Sequence, residues 1–139
     1  MKFQTWRDIA ASPQAIWDIL TDARALQRGD TGIIAMKGEI VEGGRITLES
    51  EAAPGRRFRL TVSRVQAPQH MVWTGGMPLG LFTGRRVFTL TPIDTGTRLE
   101  VVETYSGPLV PLMARVLPDL TPSFEHFARG VAALAEELT

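Results

Sequence analysis

Cysteine is absent from the 139 residues, which excludes disulfides, thiolate chemistry and cysteine-type zinc sites. Histidine is scarce: His70 and His126 are the only two, too few for a histidine-rich metal centre. Neither a metal nor a cofactor is expected. Charge of one sign is not in excess either, since 15 Lys and Arg balance 15 Asp and Glu. A chain of zero net charge has no long-range field to gather polyanions, so nucleic acid is not an expected partner. Long apolar runs are also missing. Nowhere do about 18 apolar residues stand together, and MKFQTWRDIAAS lacks the apolar stretch of a secretory signal. The expectation is a cytoplasmic protein without stable membrane insertion.

What is present suits one domain over residues 1–139, because 15.3 kDa is enough to bury about two-thirds of the unfolded chain's surface. Residues 2–10 read as a strand. Ser12 and Pro13 then supply an N-cap and a first helical position ahead of Ile16, Trp17, Ile19 and Leu20. A second short helix is expected within 22–32. From Ile33 the period changes to short alternations cut by Gly, Pro and Asp, the pattern of an antiparallel meander. Strands are expected at 33–41, 45–52, 56–66, 70–75, 84–91 and 97–106. Pro108, Pro111 and Pro118 interrupt any helix before 118, whereas Thr121 as N-cap and Pro122 open a good one. Its apolar face runs through Phe124, Phe127, Ala128, Val131, Leu134, Ala135 and Leu138. The sum is an α+β architecture in which a curved antiparallel sheet of about seven strands wraps a long C-terminal helix.

Several segments in this order carry a resemblance: Ala11 to Asp22, Val72-Trp73-Thr74-Gly75-Gly76, Gly84-Arg85-Arg86-Val87-Phe88, Thr97-Arg98-Leu99, Glu103 to Leu109, and Phe124 to Glu137. The chain resembles the SRPBCC, or START-like, superfamily of helix-grip folds, most closely its polyketide cyclase/dehydrase-like branch of small bacterial proteins. The resemblance implies an internal cavity between sheet and C-terminal helix that holds an apolar or amphipathic small molecule. Members include lipid carriers, ligand receptors, aromatase/cyclase enzymes and co-chaperone domains, so fold alone does not select the function. The chain departs from the family pattern at three places. Gln27-Arg28-Gly29-Asp30 stands where a Trp-Asn-Pro-like segment is common, Arg86 where His is common, and Ala128 where Asn is common. Chemistry that depends on those groups is not expected to carry over.

The last two strands place a charged pair. With the turn centred between Asp94 and Thr95, facing residues sum to 189, so Leu90 faces Leu99, Phe88 faces Val101 and Arg86 faces Glu103. All six share the apolar face, which points Arg86 and Glu103 inward. The plain reading is mutual neutralisation within the sheet. The functional reading makes Arg86 the anchor for a ligand carboxylate or phenolate, with Glu103 fixing its fork. A general-base role for Glu103 ranks last, because an arginine neighbour stabilises the ionised carboxylate and leaves it a weak base. Cavity wall is expected from Phe58, Leu60, Met71 and Trp73 on the middle strands. Phe88, Val101 and Tyr105 add to it from the last two, and Phe124, Phe127 and Val131 from the helix. For each apolar position, ordinary core is the competing reading. Met36, Met71, Met77 and Met113 read as soft lining or gap-fillers. The link with Met77, Leu79, Leu81 and Phe82 is apolar for a loop and reads equally as a lid or as a contact with a second copy of the chain.

Other signals are set aside. His126 has no partner at readable spacing and reads as a surface or boundary histidine. His70 reads as exposed, and Arg28-Gly29-Asp30 as a turn. The glycines at 75, 76, 80 and 84 lack the Lys and helix start of a phosphate loop. Arg56, Arg57, Arg59 and Arg64 read as a solvated face offset by Glu49 and Glu51 across strands. The expected function is therefore binding or transport of a small hydrophobic or amphipathic molecule. The alternatives are a metal-free cyclase/dehydratase-like enzyme acting on an aromatic or polyketide-type substrate, using Arg86, Glu103 and Tyr105, and a co-chaperone-like interaction module.

Overall fold

The computed structural model describes residues 1–137, so the expected apolar position Leu138 lies outside the described residues. Strand β1 (Lys2–Ile9) is followed by α1 (Pro13–Leu20) and α2 (Ala23–Arg28). The meander is β2 (Ile33–Lys37), β3 (Arg45–Ser50), β4 (Phe58–Gln66), β5 (His70–Gly76), β6 (Thr83–Ile93) and β7 (Gly96–Ser106). A helical turn, α3 (Val110–Met113), precedes the long α4 (Thr121–Glu137). All seven strands form one antiparallel sheet in the order β1-β7-β6-β5-β4-β3-β2, which places the first strand beside the last. The sheet curls around α4, whose buried residues Phe124, Phe127, Ala128, Val131, Ala132 and Ala135 face it. The architecture is α+β, as the sequence pattern implies.

Local chemistry sets the boundaries. Ser12 accepts the Ala15 N–H at 3.1 Å, with Pro13 in the first turn, so α1 starts where the sequence places it. Asp22 caps α2 by accepting from Arg24 and Ala25, and the helix stops at Arg28 instead of running toward residue 32. Strand β2 ends at Lys37, four residues short of the expected limit. Gly38 there takes φ +107°, and a Cβ at this position would collide with the Arg45 carbonyl, so the chain turns away from the ladder. Thr121 is not the N-cap of α4 but its first residue: the Phe124 N–H donates to the Leu120 carbonyl, and the Asp119 carboxylate receives the Thr121 N–H at 3.0 Å.

The β6–β7 register is the expected one: Leu90 pairs with Leu99, Phe88 with Val101 and Arg86 with Glu103. The core is continuous from α1 (Ile16, Leu20) through Leu99, Phe88 and Met71 to Val131 and Ala135 of α4. It fills one end of the curled sheet. At the other end the sheet and α4 diverge and leave a cavity.

Candidate functional site

A cavity of about 810 Å³ opens between the inner face of the sheet and the first turns of α4. Its floor is built from cross-strand rows. Val62 pairs with Trp73, Trp73 with Arg86, Arg86 with Glu103, and Glu103 with Phe3, so one row crosses five strands and puts two opposite charges in an aromatic setting. One step toward the mouth, Gly75 pairs with Gly84 and Gly84 with Tyr105. These glycines make room rather than turns. A Cβ on Gly75 would lie 2.6 Å from Leu60 Cδ2, and one on Gly84 would lie 3.0 Å from Tyr105 Cε1. The absent side chains let Leu60 and Tyr105 lie over the floor.

Arg86 Nη2 donates to Glu103 Oε2 at 3.1 Å, and the Tyr105 hydroxyl donates to the same oxygen at 2.8 Å. Glu103 is 8 % exposed, so its charge is held inside the protein by these two donors. The guanidinium also lies 4.7 Å from the centre of the Phe124 ring, a cation–π contact from α4. Tyr105 is stacked on Phe82 at 5.0 Å and meets the edge of Phe3 at 6.1 Å. Burial first, and the Glu103 charge second, push the Tyr105 phenol well above its usual range, so it stays protonated and acts as a donor. Two further donors, Trp73 Nε1 and Arg86 Nε, are buried without a partner. Glu103 Oε1 makes no hydrogen bond.

Nine of the residues expected at a cavity wall border this space: Phe58, Leu60, Trp73, Arg86, Val101, Glu103, Tyr105, Phe124 and Phe127. Phe58 stands at the outer lip and is exposed. Met71, Phe88 and Val131 do not border it; all three are fully buried in the closed core, where Phe88 packs 4.6 Å from Trp73 and 6.1 Å from Phe127. Alternation alone gives these three the same inward face as the lining residues, and only their depth along the strand or helix separates the two groups. Met77 and Met113 border the cavity, whereas Met36 is core.

Of the mouth, the sequence pattern points only to the apolar link after β5. The mouth lies between the 52–57 turn, that link and the 113–120 segment, with Val116, Leu117 and Leu120 from the last of these. The apolar spacing of Leu112, Met113, Val116 and Leu117 was the available signal, obscured by the prolines around it. In the link, Phe82 is buried against Tyr105, while Leu79 is 96 % exposed. Arg56 and Arg57 also border the mouth. The expected offset by Glu49 and Glu51 does not form. Glu49 accepts the Gly55 N–H at 2.9 Å, and Glu51 turns to His126.

His126 is a partly buried boundary residue, but it has partners that the sequence does not reveal. Its Nδ1 lies 2.5 Å from Glu51 Oε1 and its Nε2 2.6 Å from Asp30 Oδ1. These two carboxylates raise its pKa through hydrogen bonds, Glu51 first. The partners are 75 and 96 residues away, which is why no spacing revealed them. His70 is half-buried rather than exposed, its Nδ1 3.0 Å from the Arg64 carbonyl. Among the described residues no group of three or more His, Asp and Glu side chains is arranged to hold a metal, and no helix is long and apolar enough to cross a membrane.

The comparisons agree with this geometry. The family described as "Polyketide cyclase / dehydrase and lipid transport" matches residues 1–138. Among solved structures, protein MLL2253 from Mesorhizobium loti superposes with a TM-score of 0.80 at 17 % identity, covering 100 % of this chain and 99 % of that one. Hypothetical protein jhp0584 from Helicobacter pylori gives 0.79 at 12 % identity, with 97 % and 88 % covered. A protein of unknown function from Staphylococcus aureus, SA2116, gives 0.74 at 12 % identity, with 99 % and 94 % covered. At these identities the structures share the fold. No curated protein matches the sequence.

Proposed function

The chain belongs to the polyketide cyclase/dehydrase and lipid transport family, and from that premise we propose that it binds a small hydrophobic or amphipathic molecule in the cavity between sheet and α4. The observation that carries this reading is the cavity itself. A concave space of about 810 Å³, walled by Leu60, Trp73, Val101, Phe124 and Phe127, opens beside a connected hydrophobic core. Sites for small ligands are concave, mostly apolar spaces of this size with a few convergent polar groups. Apolar wall offers affinity, and the Arg86–Glu103–Tyr105 group offers orientation. Turnover is not needed for this role. A cyclase/dehydratase-like reaction would use the same group, with the Tyr105 phenol as donor toward a developing enolate.

The test is native mass spectrometry of freshly purified protein, with denaturing extraction of whatever is released. A stoichiometric small molecule supports the binding reading. If repeated preparations carry none, and a panel of lipids and aromatics gives no thermal shift, the binding reading falls and a protein partner takes its place.

A further inference from the structure

The deep polar group has a definite charge character. Arg86 and Glu103 neutralise each other across the β6–β7 ladder, and Tyr105 adds a neutral donor, so the floor of the cavity carries no net charge. Its unsatisfied capacity is mixed. Arg86 Nε and Trp73 Nε1 are sealed from the cavity, but Glu103 Oε1 is an acceptor and Arg86 Nη1 a donor that are open to it without a protein partner, on neighbouring strands of a single cross-strand row. A donor and an acceptor left side by side complement a ligand group that both accepts and donates. An anion fits badly. It would satisfy the donors but would set its own charge beside the Glu103 carboxylate in a site with little solvent to screen the repulsion.

Resting on the binding reading above, we infer that the cavity selects ligands whose buried polar end is an uncharged group able to both donate and accept hydrogen bonds, a hydroxyl, phenol or amide, and discriminates against carboxylates. Glu103 is the residue that sets this selectivity. Arg86 alone would favour an anion, and its commitment to Glu103 removes that preference. Arg56 and Arg57 at the mouth leave the outer end of the ligand free to be anionic, so the discrimination concerns the inner end only.

The probes are 2-naphthamide and 2-naphthoate, of nearly equal shape and different charge near neutral pH, with naphthalene as the purely apolar reference. Binding to the wild-type protein is followed by ligand fluorescence. Naphthamide should bind at least about tenfold more tightly than naphthoate and more tightly than naphthalene. In Glu103→Gln the order should reverse, with naphthoate gaining about tenfold or more as Arg86 loses its anionic partner. Lowering the pH of the wild-type protein toward the carboxylic acid's own pKa should tighten naphthoic acid binding as the probe becomes neutral, a result that does not require the variant to fold. Equal affinity for all three probes would overturn the selectivity and leave the binding reading standing. Preference for naphthoate in the wild-type protein would also overturn it. Failure of every probe to bind would overturn the selectivity, and the binding reading would be decided by the mass-spectrometric test above.

Discussion

At the scale of single residues, the Arg86–Glu103 pair shows what register arithmetic can and cannot deliver. A turn position and the two-residue period of strands were enough to oppose these two side chains and turn them inward. Tyr105 follows from the same alternation, two residues along β7. The depth of each residue did not follow, because Met71 and Phe88 alternate in phase with Trp73 and Arg86 yet lie beyond the cavity's inner end. The pair's energetics give a sharp expectation. Its side chains are 20 % and 11 % exposed, so removing Arg86 leaves a carboxylate largely cut off from water. Arg86→Met should lower stability by about 3 kcal/mol, read from the urea midpoint. Adding Glu103→Leu to that variant should restore most of the loss, since an uncharged floor has no unpaired ion to desolvate. A double variant as unstable as the single one would show that the loss comes from the guanidinium's contact with the Phe124 ring instead.

Between elements, the less visible relationship is the seating of the loop after α2 on α4. His126, Gly130 and Leu134 are spaced four apart and form one stripe of that helix. His126 holds the Asp30 carboxylate, Gly130 admits the Asp30 carbonyl, and Leu134 lies 2.5 Å from where a Gly29 Cβ would stand. A mid-helix glycine ordinarily costs about 1 kcal/mol relative to alanine. Here the sign should invert: Gly130→Ala places a methyl group onto the Asp30 carbonyl and Thr31, which are backbone atoms, and should destabilise by about 1–2 kcal/mol net. A more stable Gly130→Ala protein would mean the loop lifts off without cost.

The same stripe predicts a pH dependence. Both ring nitrogens of His126 face carboxylate oxygens, an arrangement only the imidazolium satisfies with two donated bonds. Its folded pKa is raised above the unfolded value of about 6.5. The clasp's contribution should therefore be complete below that unfolded value and be lost as pH rises through the folded one. The Asp30 side chain is 94 % exposed, so Glu51 should carry most of the effect and added salt should weaken it. Urea midpoints of the wild-type protein and His126→Gln, compared from about pH 5 to pH 9, should converge at the alkaline end. A gap that stays constant with pH would assign His126 a packing role only.

For the whole molecule, the governing feature is that one curled sheet serves two interiors. At one end its inner face meets α1 and the later turns of α4 and closes into core; at the other it meets only the start of α4 and stays open. Element order and α+β class were legible because each strand's alternation and each turn's glycine or proline is a local signal. The open end was legible only at the 77–82 link, because its mouth also needs two segments distant in sequence, 52–57 and 113–120. A protein of this design is less stable empty than filled, and the two states can be separated by a cavity-filling substitution. Leu60 is partly buried on the floor above Gly75, so Leu60→Trp directs an indole into the empty space without entering the packed core. The unliganded variant should melt no lower than the wild-type protein, because added contacts replace void. A ligand at about 100 times its Kd, which should raise the wild-type Tm by about 9 °C, should leave the variant's nearly unchanged, with affinity down at least about tenfold. A variant that folds normally and still binds with wild-type affinity would place the ligand somewhere other than this cavity. One that melts well below the wild-type protein would show that the space is already closed in solution.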